Sequence, residues 1–150
     1  MMQVNALAPE DDHSRPDTSR LLWAAVARLS DEERARMARE LYSELLGCYP
    51  QLGTFFGNLD VDQQVRKLAA ALDLLALRAA DRQLFGLHVI RIGIAHTRRG
   101  IGRAEYVVFA RTLASILARY QTELPSAHAE QLWMAELSMI VDTMLAASQS

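Results

Sequence analysis

Five polar or aromatic side chains occupy positions where the helical pattern of this sequence points inward: Tyr42, Phe56, Gln64, His96 and Tyr106. A buried tyrosine hydroxyl or glutamine amide without a hydrogen-bond partner costs about 1–3 kcal/mol. Such groups on different helices therefore predict a shared partner. Neutral imidazole is a common metal ligand, so His96 is either a metal ligand or a core histidine that a neighbour satisfies.

His96 stands apart from any cluster of cysteine or carboxylate side chains. The apolar residues Leu84, Val89 and Ile92 precede it at helical spacing, and the break Gly100-Ile101-Gly102 follows. A single histidine on the apolar face of a helix suits a metal that a macrocycle already holds. The sequence therefore favours a macrocyclic metal cofactor over a site built from several protein ligands.

The elements that must position these side chains are helices. Asp17-Thr18-Ser19 can cap a first helix, Ser30 and Glu33 form a capping box for a second, and the last helices span about 103–120 and 126 onward. No segment alternates with period two for long enough to predict a strand. The sequence predicts a flexible N-terminal arm over 1–17 and one all-α domain over 18–150.

Composition narrows the function classes. The chain has 150 residues, 51% of them hydrophobic, a net charge of −2 and no basic stripe dense enough to follow nucleic acid. Its single cysteine excludes an internal disulfide. We find no signal segment and no apolar run of about 18 residues. We therefore expect a cytoplasmic protein with neither nucleic acid nor membrane as a partner.

Three blocks of the sequence carry residues whose types and spacing match those of a known family. They are the run 41–56 with its Tyr42, the QVRKL run from Gln64, and the GIAH run that ends at His96. Tyr42 precedes Phe56 by 14 residues, Gln64 precedes His96 by 32, and His96 precedes Tyr106 by 10. In these blocks the chain resembles bacterial single-domain globins and the globin domain of flavohaemoglobins. The resemblance implies a globin fold of six to eight helices around a haem pocket.

The resemblance also implies a cofactor, haem b (iron protoporphyrin IX), and a role for each matched residue. His96 is implied as the iron ligand, with its other ring nitrogen bonded to a main-chain carbonyl near Ile92. Tyr42 and Gln64 are implied as hydrogen-bond donors to a diatomic gas. The implied cofactor contacts are Phe56, Lys67, Leu68, Val89, Ile92, Arg99, Ile101, Tyr106 and Phe109, with Lys67 and Arg99 near the propionates.

The function implied is reversible binding of O2, NO or CO, for oxygen storage or transport or for NO detoxification. Flavohaemoglobins carry a late glutamate that has no match in 145–150, and their reductase domain would begin where this chain ends. We therefore expect no self-sufficient enzyme; any NO dioxygenase activity needs a separate reductase.

Two other functions stay open on the sequence alone. One is a haem-based gas or redox sensor that signals to a partner or an output domain. The other is a haem-free globin fold that serves as an interaction module. The sequence leaves the oligomeric state open, with a dimer as one option.

Overall fold

The fold consists of helices throughout the part of the chain that the structure describes. The structure is a computed structural model that describes residues 11–55, 61–121 and 124–147, without the side chains of 11–18, 61, 75, 76 and 78–80. Six α-helices and one 3-10 helix are α1 (Asp11–Ala27), α2 (Asp31–Cys48), the 3-10 helix (Pro50–Phe55), α3 (Val61–Ala80), α4 (Arg82–Arg98), α5 (Arg103–Arg119) and α6 (Ser126–Ala147). The all-α prediction is confirmed for these residues. None of these helices is long and apolar enough to cross a membrane.

Local signals in the sequence place most helix ends. The predicted capping box is present, because the Glu33 amide donates to Ser30 Oγ and the Ser30 amide donates to Glu33 Oε1, both at 3.1 Å. Gly100 adopts a φ of +83°, which favours glycine, in the break between α4 and α5. The start of α1 differs from the prediction: the helix begins at Asp11, so it includes residues assigned to the arm.

An aromatic cluster joins α1, α4 and α6 on one side of the core. Trp23 packs edge-on against Trp133 at a ring-centroid distance of 5.0 Å and against Phe85 at 6.1 Å. Its indole N–H donates to Glu136 Oε2 at 3.0 Å. Both tryptophans are buried. This cluster fixes the start of α4 against the helices that flank it.

A close backbone approach fixes the middle of α4 against α6. A Cβ atom at Gly93 would lie 2.7 Å from the carbonyl oxygen and 2.8 Å from the Cα of Met144. Real Cβ atoms do not approach backbone atoms so closely, so this contact requires glycine. Since Gly93 lies one turn before His96, the contact also sets where that imidazole stands.

We predict that Gly93→Ala destabilises the protein by about 1–3 kcal/mol, because the helices must separate to admit the methyl group. Gly86→Ala is the matched control in the same helix: its Cβ would meet no atom within 4 Å. There alanine should stabilise the helix by up to about 1 kcal/mol. Urea unfolding measures both free energies. Equal effects of the two substitutions would contradict the steric account.

Candidate functional site

A cavity of about 390 Å³ lies between the helices, with contributions from all of them except α1. Eleven of the twelve residues that the sequence singles out line it: Tyr42, Gln64, Lys67, Leu68, Val89, Ile92, His96, Arg99, Ile101, Tyr106 and Phe109. The twelfth, Phe56, lies outside the described residues, while the preceding Phe55 is part of the lining. The structure thus brings side chains from four α-helices and the α4–α5 connection to one place.

His96, on α4, lines the cavity, and one of its ring nitrogens already has a hydrogen-bond partner. Its Nδ1 lies 3.1 Å from the Tyr106 hydroxyl, and the two rings are tilted by 49°. This differs from the carbonyl near Ile92 that the resemblance implies. The side chain that bonds to the backbone one turn back is Thr97, whose hydroxyl donates to the Gly93 carbonyl at 3.0 Å. Nε2 is therefore the nitrogen of His96 left for a ligand.

Burial sets the protonation states of the cavity's titratable side chains. It lowers the pKa of His96, and the Arg99 guanidinium lowers it further, so the imidazole is neutral near pH 7. Burial raises the pKa values of Tyr42 and Tyr106, which therefore keep their hydroxyl protons. The cavity accordingly offers one neutral nitrogen base and two phenolic donors. In the described part of the chain, no three His, Cys, Asp or Glu side chains are grouped to hold a metal ion.

Tyr42 and Gln64 form a buried polar pair between α2 and α3. The Tyr42 hydroxyl donates to Gln64 Oε1 at 3.4 Å, which is longer than the usual O–H···O distance of about 2.7 Å. A bond this long holds the hydroxyl proton weakly, so an acceptor inside the cavity can compete for it. The bond also occupies the amide oxygen of Gln64 and leaves its NH2 group as a donor. Gln64 is buried at 9% exposure.

The charged residues of the lining stand where the cavity opens. Lys67 and Arg99 line it and are themselves exposed, so their cationic groups reach solvent. Glu105 also belongs to the lining, and its Oε2 accepts from the Gly102 amide at 3.2 Å at the start of α5. A ligand with an apolar body and an anionic edge matches this arrangement.

Some residues that line the cavity were not predicted from the sequence. One wall comes from α6, through Leu137, Ile140, Val141 and Met144, and α5 adds Leu113. The α6 residues recur at spacings of three and four, which predicts a buried face. That pattern cannot tell a face packed on the core from one that borders a cavity, so spacing alone does not assign them to the site.

Comparison with known proteins places the chain in no family. No family model matches it, and neither a curated protein nor a solved structure does. The likeness to globins therefore rests on the sequence blocks themselves.

Two alanines on α5 test whether the cavity has room for a larger group. Ala110 lines the cavity, whereas Ala114, one turn later, is fully buried in the core and does not. We predict that Ala110→Leu changes the free energy of unfolding by less than about 1 kcal/mol, because the added atoms enter empty space. Ala114→Leu should cost about 1–3 kcal/mol through overpacking. Thermal or urea unfolding gives both values; a large loss in Ala110→Leu would contradict an open cavity.

Proposed function

We propose that this protein is a globin that binds haem b in the central cavity and reversibly binds O2, NO or CO there. The observation that carries the proposal is that eleven of the twelve residues named from the sequence line one cavity, with a neutral histidine among them. Oxygen storage or transport and NO detoxification with a separate reductase both follow from this binding. Bound haem would supply an iron centre with a free coordination position for a gas.

The volume and the lining of the cavity support an apolar cofactor with anionic edges. Its volume of about 390 Å³ falls in the range of small-molecule sites. Leu68, Val89 and Ile101 would contact the ring from the apolar walls. Lys67 and Arg99, at the opening, would meet the propionates, where a cation and a carboxylate can pair while both keep contact with water.

The His96–Tyr106 pair would hold the iron-binding nitrogen in place. When Nε2 of His96 is the ligand, Nδ1 carries the ring proton and donates it to the Tyr106 hydroxyl oxygen. That bond fixes both the tautomer and the ring orientation, as partners of metal-binding histidines commonly do. Arg99 and burial keep the imidazole unprotonated, and only that form can bind iron.

Tyr42 and Gln64 would act on the gas. A diatomic ligand that takes up partial negative charge competes for the weakly held Tyr42 proton, and the NH2 group of Gln64 donates alongside. Both residues are buried, and donors in a site poor in water stabilise charge more than donors in solvent. Slow oxygen release is the expected consequence.

The first test addresses the ligand. We predict that purified protein titrated with haem develops a Soret band and that His96→Gly weakens haem binding by at least about 100-fold, because loss of the ligand itself exceeds the loss of an outer partner. Added imidazole should restore the band in His96→Gly, which separates loss of the ligand from loss of the fold. His88→Ala is the matched control in α4, since His88 does not line the cavity. If the unaltered protein develops no Soret band, the proposal is wrong, and the haem-free interaction module remains as the function.

The second test addresses the gas. We predict that Tyr42→Phe speeds oxygen dissociation by roughly 10- to 100-fold, the range for one hydrogen bond to a charged acceptor. Tyr49→Phe removes a hydroxyl from a half-buried tyrosine outside the lining and should leave the rate unchanged. Stopped-flow displacement of O2 by CO measures the rates. An unchanged rate in Tyr42→Phe would remove this residue from the gas site.

A further inference from the structure

The outer face of α4 exposes an unusual concentration of large apolar side chains. Among the described residues, five large hydrophobic side chains are exposed, and four of them lie within eleven positions of α4: Leu84 at 41%, Leu87 at 63%, Ile90 at 41% and Ile94 at 39%. The sequence pattern groups Leu84 with the buried Val89, but the structure places it outside. Exposed apolar patches of this kind mark contact surfaces.

These residues form one stripe on the side of α4 that faces away from the cavity. Leu84, Leu87, Arg91, Ile94 and Arg98 follow each other at alternating intervals of three and four residues, so they share a helix face. Leu87 and His96 are nine positions apart, which at 3.6 residues per turn puts them on opposite sides of the helix. We call the outward set, together with Ile90, the α4 stripe.

The charge of α4 has a single sign. Arg82, Arg91 and Arg98 are exposed, and the helix contains no aspartate or glutamate, although the whole chain has a net charge of −2. The nearest carboxylate in sequence, Asp81, is the N-cap and accepts from the Leu84 amide at 3.0 Å. Two of the three arginines lie within the α4 stripe itself, so the apolar surface carries cationic groups along its length.

We propose that the α4 stripe is a docking surface for a membrane that contains anionic phospholipid. Its leucine and isoleucine side chains enter the boundary between headgroups and acyl chains, while Arg91 and Arg98 pair with lipid phosphates. The helix lies along the surface and does not cross it. This contact differs from the sequence-based expectation of no membrane partner, which rests on the lack of an apolar run of spanning length.

A second copy of this chain fits the α4 stripe less well than a lipid surface. Two stripes packed face to face would bring the arginines of both copies together, and like charges repel. The stripe also has only four large apolar side chains, whereas each partner in a stable interface contributes about 20–30 residues. An anionic bilayer meets both conditions, because it is of opposite charge and needs no matching shape.

The test is co-sedimentation with extruded vesicles. We expect the protein to pellet with vesicles of phosphatidylcholine and phosphatidylglycerol in equal parts, to stay in solution with phosphatidylcholine alone, and to be released as salt screens the charges. The variant Arg91→Gln/Arg98→Gln should bind about thirtyfold more weakly, and Leu87→Gln/Ile94→Gln should lose sedimentation. The haem-binding titration is run on the same preparations, and it should be unchanged because these side chains face away from the cavity.

Matched controls separate the stripe from a general surface effect. Met139→Gln alters the fifth exposed apolar residue, on α6 at 52% exposure, and Arg66→Gln alters an exposed arginine of α3. Both should bind vesicles as the unaltered protein does. Equal binding to both vesicle types, or unaltered binding by the stripe variants, overturns the proposal. So does a dimer in sedimentation velocity that Leu87→Gln/Ile94→Gln abolishes without any vesicle binding, since the occupant is then a second copy.

Discussion

The close contact between Gly93 and Met144 is the constraint on which the candidate site depends. Because no side chain separates the two backbones there, α4 lies directly against α6. His96, one turn further along, then stands within reach of Tyr106 on α5. A bulkier residue at 93 would move the imidazole away from both its partner and the cavity. A packing requirement thus determines the geometry of a polar pair.

The cavity combines an apolar body with two polar pairs, each joined by a hydrogen bond. Tyr106 engages one nitrogen of His96, and Gln64 accepts from Tyr42. Both bonds join different helices, so the polar groups are oriented before any ligand enters. Held in this way, each pair avoids the cost of a buried, unsatisfied group and still has one functional atom left for a ligand. Such preorganisation is what distinguishes a binding site from a gap in the packing.

The sequence predicts the local features well and the contacts between helices less well. The Ser30–Glu33 capping box and the starts of α5 and α6 at Arg103 and Ser126 depend on nearby residues or on periodicity, and all are present. The outward position of Leu84 and the partner of His96 Nδ1 depend on how neighbouring helices are oriented. Periodicity locates an apolar face but does not say what covers it. The globin likeness indicates eleven of the residues that line the cavity, whereas the α6 wall is evident only from the fold.

The absence of carboxylates from α4 has consequences on both of its faces. On the inner face, a carboxylate near His96 would favour the imidazolium form and raise the pKa, whereas Arg99 and burial lower it and keep Nε2 able to bind a metal. On the outer face, the same lack of acidic residues leaves Arg91 and Arg98 without a neutralising neighbour in their own helix. The lack of aspartate and glutamate in α4 therefore affects both its inner face and its outer face.

An acidic substitution on the outer face at Ile94, two positions from His96, would weaken attraction to an anionic surface. It would also raise the pKa of the imidazole. A glutamine there removes the apolar contact without adding charge, so only the uncharged substitution separates the two effects.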